Sequence, residues 1–151
     1  MNIVLVEPEI PPNTGNIARL CAAAGAALHL VGPLGFRLND RELRRAGMDY
    51  WEHVAWRRWE SLDDLRAAAG PGARFWYVTA RSTRPYTAPR YAWGDHLVFG
   101  KETAGLPRAL LDANPEATVT IPMFNRKVRC LNLATAVGIV LYEALRQVKG
   151  F

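Results

Sequence analysis

Arg19 stands three residues after the polar run Asn13-Thr14-Gly15-Asn16. That run is rich in capping residues, so the pattern predicts a helix over residues 17–24 with Arg19 in its first turn. A cation there opposes the helix dipole by about a few tenths of a kcal/mol. The arrangement gains a purpose if Arg19 and the helix N-terminus together face an anion such as a phosphate. On that reading Asn13 and Asn16, in a ligand-facing turn, are substrate contacts. A second basic set comprises Arg81, Arg84 and Arg90 in one loop and Arg126, Lys127 and Arg129 in another. Both segments leave the presumed ligand edge, where their charges can converge on one RNA backbone. Trp56-Arg57-Arg58-Trp59 interleaves aromatics with charge, but it reads first as a half-buried aromatic pair with solvated arginines.

Acid–base chemistry is thinly supplied. His29 falls inside a strand, His53 and His96 are isolated, and no His/Glu pair has metal-ligand spacing, so no metal site is expected. Glu7 and Glu9 flank Pro8 and should point in different directions. There is no serine elbow, no P-loop and no GxGxxG after a strand. Such a set suits a reaction driven by positioning with a donor that is already activated.

The elements that hold these residues read as a parallel α/β unit. Short apolar runs at 3–6, 28–31, 75–79, 96–99 and 117–121 predict strands, with a further short strand around His53 to Trp56. Pro8, Pro11 and Pro12 argue against helix before Asn13. Helices are predicted over 17–24, from Asn39 or Asp40 to Ala46, from Ser61 to about Gly70, from Pro107 to Ala113, and over 132–148. In the last, Leu133, Val137, Val140, Ala144 and Val148 share one face, widened by Ala136, Ile139 and Leu145. Ligands bind beyond the carboxyl ends of strands in open α/β sheets. Three loops leave such ends late in the chain, at Thr79, Gly100 and Pro122. Gly100 and Gly105, in FGKETAGLP, either let the backbone approach a ligand or serve as ordinary turn glycines.

With 151 residues and no linker or repeat, one domain over 1–151 is expected. The chain is basic, with 19 Lys and Arg against 14 Asp and Glu and a formal net charge of +5, which permits a polyanionic partner. Two cysteines, Cys21 and Cys130, give neither a zinc site nor a disulfide framework. The absence of a signal-peptide pattern and of a long apolar run points to a cytoplasmic protein with no membrane span.

Four motifs resemble one family. NIVLVEPEIPPNTGNIARL, LRRAGMDYW, VFGKETAGLP and IPMFNRKVRCLNLATAVGIVLYEA occur in the order and spacing of SPOUT-class RNA methyltransferases. The likeness is nearest to the TrmL-like tRNA 2′-O-methyltransferases, which act on the wobble cytidine or uridine (position 34) of leucine tRNAs. It implies an α/β domain, a mainly parallel sheet flanked by helices, with a deep C-terminal trefoil knot. It implies a homodimer joined through the terminal helix, and tRNA as substrate. It also implies S-adenosylmethionine in the knot, touched by Val78, Thr79, Gly100, Glu102, Ile121, Met123, Cys130, Leu131 and Asn132. Arg19 then becomes the catalytic residue, orienting and activating the ribose; as a general base an arginine is chemically awkward, so deprotonation stays open. Arg81, Arg126, Lys127 and Arg129 join Asn13 and Asn16 as substrate contacts. The chain departs from the family in carrying Cys130 where serine is usual, Ala134 where serine is frequent, and Lys101 where proline is frequent. The loop from Met123 to Cys130 is one residue longer. Two other readings remain: a SPOUT enzyme acting on another tRNA or rRNA site, or a non-catalytic RNA-binding protein of the same fold.

Overall fold

The computed structural model describes residues 1–38, 48–125 and 127–151. The helix expected from Asn39 or Asp40 to Ala46, and Arg126, lie outside them.

Six parallel strands form one sheet. They are β1 (Asn2–Val6), β2 (Ala27–Val31), β3 (Trp56–Trp59), β4 (Phe75–Val78), β5 (His96–Phe99) and β6 (Thr118–Val119), in the order β3-β2-β1-β5-β4-β6. The chain lays β1 to β3 outward on one side, then crosses to build β4, β5 and β6 on the other. Alternation along the strands sorts the core onto two faces. Ile3, Leu5, Leu28, Leu30, Leu97 and Phe99 pack against α1 (Pro11–Ala24) and α4 (Leu133–Lys149). Val4, Val31, Tyr77 and Val98 face Leu65 of α2 (Leu62–Ala69) and Leu111 of α3 (Arg108–Asp112). Strands covered on both faces need continuous apolar runs, which is why they stood out in the sequence. Ser61 caps α2 by accepting from the Asp64 amide at 3.1 Å, as its spacing predicts.

Three boundaries differ from expectation. α1 begins at Pro11 rather than Ile17. First-turn residues donate no intrahelical hydrogen bond, so prolines at N1 and N2 lose nothing. The pre-proline restriction falls on Ile10, which is extended at φ −108° and ψ 107° and serves as N-cap. Asn13 to Asn16 are therefore helical rather than a turn, and Arg19 lies in the third turn, where the dipole argument does not apply. The third strand is Trp56–Trp59, and His53 instead ends a 3-10 helix, Met48–His53. Pairing with β2 (Leu28 opposite Trp56, Val31 opposite Trp59) sets this edge strand, not an apolar run. β6 is only two residues long because Pro115–Ala117 is a 3-10 turn and Pro122 follows closely. Beyond it, Thr120 pairs with the long loop after β4: its amide donates to the Arg84 carbonyl and its carbonyl accepts from the Tyr86 amide, both at 2.8 Å.

Candidate active site

The carboxyl ends of β4, β5 and β6 open onto a cleft of about 560 Å³, within the range of small-molecule sites. Its walls are the three loops that leave those strands together with the start of α4. Val78, Thr79, Gly100, Glu102, Ile121, Met123, Cys130, Leu131 and Asn132 all line it, as do Asn13, Arg81 and Arg129. Arg19, Asn16 and Lys127 do not. Asn16 and Arg19 share the exposed face of α1, and the Arg19 guanidinium lies over the Tyr50 ring, 4.9 Å from its centroid.

The cleft is shaped by loop chemistry. A Cβ on Gly100 would fall 2.1 Å from the carbonyl carbon of Gly105, so only glycine lets the loop fold back on itself. Gly105 itself takes φ +69° and donates its amide to the Lys101 carbonyl at 2.8 Å. The folded loop is then laced to the segment before α1. Glu102 accepts from the amides of Glu9 (2.8 Å) and Ile10 (3.1 Å) and from the Asn13 side chain (3.2 Å). This carboxylate caps α1 from a distant loop, with the helix dipole in its favour. Asn13 Oδ1 accepts from Asn132 Nδ2 at 2.9 Å, and Asn132 Oδ1 caps α4 by accepting from Ala134 and Thr135. One hydrogen-bond chain thus fixes the β5 loop, α1 and α4 relative to one another. The side chains of Glu102, Asn13 and Asn132 thereby hold the wall together.

Glu7 and Glu9 bond to different residues of one loop. Glu7, at φ 51°, accepts from Lys101 Nζ at 2.9 Å. Glu9 accepts from the Thr103 amide (3.1 Å) and hydroxyl (2.8 Å), bonds that hold its carboxyl below the usual range. Sequence reading missed this lacing of residues 7–10 to 101–103. Its only signal was that both segments carry complementary polar residues at strand ends. Cys21 is fully buried in the core, its thiol pushed up to about 12 by burial, and is no nucleophile. Cys130 is exposed on the cleft wall.

The SpoU rRNA Methylase family pattern matches residues 1–142. The chain belongs to that family. The tRNA (cytidine(34)-2′-O)-methyltransferase of Escherichia coli (strain K12) is 49% identical over 148 residues, covering 97% of this chain and 93% of the relative. A solved structure concerned with 2′-OH methylation of C/U34 on tRNA superimposes with a TM-score of 0.94 at 46% identity, covering 99% of this chain and 97% of the other. The SpoU methyltransferase AviRb from Streptomyces viridochromogenes, solved with AdoMet, gives a TM-score of 0.84 at 27% identity, covering 97% of this chain and 60% of that one. The parallel sheet with helices on both faces is thus the SPOUT arrangement. S-adenosylmethionine fits the cleft chemically. Val78, Ile121, Met123 and Leu131 offer it an apolar wall, with Thr79, Thr120 and the glycines Gly100 and Gly105 between them.

Proposed function

We propose that this SpoU methylase transfers a methyl group to the ribose 2′-oxygen of the wobble nucleotide, cytidine or uridine 34, of tRNA, with leucine tRNAs as the natural substrates. The observation that carries this reading is the cleft itself. It is assembled from three strand-end loops, with Arg81 and Arg129 on its rim and no catalytic His or Ser in its lining. The name borne by the Escherichia coli relative supports the choice of substrate. S-adenosylmethionine, when bound, supplies an activated methyl group. The loops of Val78–Thr79, Gly100–Gly105 and Ile121–Met123, closed by residues 130–132, hold and desolvate it, and alignment provides most of the acceleration. Arg19 orients and activates the ribose and its phosphate from the exposed face of α1, beside Asn16. Arg81, Lys127 and Arg129 grip the backbone, with Arg126 expected to join them. Because Arg19 lies outside the cleft lining, its part is played on the RNA and not on the cofactor.

The proposal extends to assembly and setting. A homodimer through α4 is supported by Tyr142, a large side chain 46% exposed on a helix whose opposite face packs on the core. A C-terminal trefoil knot is supported by the pairing of Thr120 with the loop over residues 84–86. No helix among the described residues is long and apolar enough to cross a membrane, and a cytoplasmic location accords with a tRNA substrate. One methyltransferase domain over residues 1–151 completes the reading.

The test is to incubate the protein with methyl-labelled S-adenosylmethionine and unmodified leucine tRNA and to map the 2′-O-methyl group. Transfer to nucleotide 34 is expected, and transfer elsewhere would move the assignment to another RNA site. In Arg19→Ala, transfer should be lost while the melting curve is kept; unchanged turnover would remove Arg19 from the mechanism. Cys130, where serine is usual in the family, and the basic loops motivate a non-catalytic reading, which undetectable binding of S-adenosylhomocysteine by calorimetry would favour.

A further inference from the structure

We infer that Phe124 is a stacking platform for an unpaired base of the RNA, beside the nucleotide whose ribose enters the cleft; the inference rests on the methyltransferase reading. Phe124 is 97% exposed, the most open large apolar side chain among the described residues. The next two in exposure, Phe151 and Trp93, differ in kind. Phe151 is the terminal residue, and Trp93 has the Lys149 ammonium 5.9 Å from its ring centroid. Phe124 follows directly on Met123, a cleft wall, and the chain rejoins that wall at Arg129. Between them the backbone turns on Asn125, whose side-chain oxygen accepts from the Lys127 amide (3.0 Å) and whose carbonyl accepts from the Val128 amide (3.1 Å). The exposed ring thus lies one residue from the cleft wall and immediately before a bonded turn.

Charge selects the occupant. No Asp or Glu occurs between Glu116 and Glu143, while Lys127 and Arg129, three and five residues after Phe124, are exposed. A second copy of this chain laid on the patch by two-fold symmetry would bring its own cations against these. A single-stranded RNA loop supplies what the patch lacks: phosphates for the cations and a π-face for the ring. Stacking tolerates every base, so the role is to hold the strand rather than to read it.

The experiment uses an anticodon stem-loop RNA with 2-aminopurine beside nucleotide 34, and the variants Phe124→Leu and Phe124→Trp. Wild type and Phe124→Trp should quench the probe on binding. Phe124→Leu, which keeps the apolar bulk, should not, and its kcat/KM should fall by about 5- to 150-fold, chiefly through KM, the span that stacking of one base covers. S-adenosylhomocysteine affinity and sedimentation mass should stay constant. Wild-type quenching and KM in Phe124→Leu would overturn the inference. So would a changed mass, which assigns the ring to a second copy, or weakened cofactor binding, which assigns it to the cleft wall. If wild type quenches the probe but transfers no methyl group, the functional reading fails and the stacking stands.

Discussion

Both ends of the sheet are built on a carboxylate, and they use it differently. At the amino end, Asp95 is buried beside the start of β5. It accepts from Arg74 Nε (2.8 Å) and Nη2 (2.5 Å), from Trp76 Nε1 (2.9 Å) and from the Ala92 amide (3.0 Å). These bonds close a gap, and aromatic rings fill the rest: Phe75 stacks on His96 at 4.3 Å, and Trp76 meets Tyr91 edge-on at 5.8 Å. At the carboxyl end, Glu102 accepts three hydrogen bonds, and two come from the backbone entering α1. Those bonds hold loops apart around an open cleft. The same polar chemistry makes a plug at one edge and a frame at the other.

Substitutions that separate plug from frame should grade in size. Gly100→Ala is expected to be the most severe. Its Cβ meets backbone 2.1 Å away, with no flexible side chain to yield. Both stability, by about 3 kcal/mol or more, and cofactor binding should suffer. Denaturant titration and calorimetry with S-adenosylhomocysteine measure the two, and a stable variant with intact affinity would mean that the loop is not the frame. Asp95→Ala should follow, destabilising by about 2–3 kcal/mol. That is less than a fully buried pair would lose, because the Arg74 side chain is 45% exposed and can reach water. Its turnover per folded molecule should stay at the wild-type level. Glu102→Ala should remove about 1–2 kcal/mol, the scale of a lost helix cap, and should also weaken S-adenosylhomocysteine binding. Equal effects on binding from Asp95→Ala and Glu102→Ala would erase the distinction between the two edges.

The sheet and its flanking helices were legible because double-sided burial leaves apolar runs that periodicity detects. The nine expected cofactor contacts fall in one cleft because strand-end loops in a parallel sheet must gather at one edge, and their motifs marked which loops. Arg19 shows the limit. The prolines before it argued for a late helix start, yet first-turn positions accept proline freely, so local reasoning misplaced the residue by almost two turns. The lacing of Glu7 and Glu9 to residues 101–103 was illegible because it joins segments more than ninety residues apart. β3 was misplaced for a related reason: its pairing with β2, not its own hydrophobicity, makes it a strand.

The smallest effect expected also lies at the plug. His29 is locked as a neutral ring: Nε2 faces Asn2 Oδ1 at 3.2 Å, and Nδ1 accepts from Trp59 Nε1 at 2.9 Å. Burial, then the neighbouring His96 and Arg57, pull its pKa down to about 4 from an ordinary 6.5. The unfolded chain therefore binds a proton that the folded chain refuses. The stability that this neutral ring contributes is present above pH 6.5 and is lost as pH falls toward 4. His96, also depressed by burial, adds in the same direction. Melting temperatures across pH 7 to 4 should decline in wild type and decline less steeply in His29→Gln, which cannot titrate. The cleft lies at the opposite edge, so S-adenosylhomocysteine affinity at pH 7 should be unchanged in that variant. An identical acid slope in the two proteins would mean that the ring is hydrated rather than part of the plug.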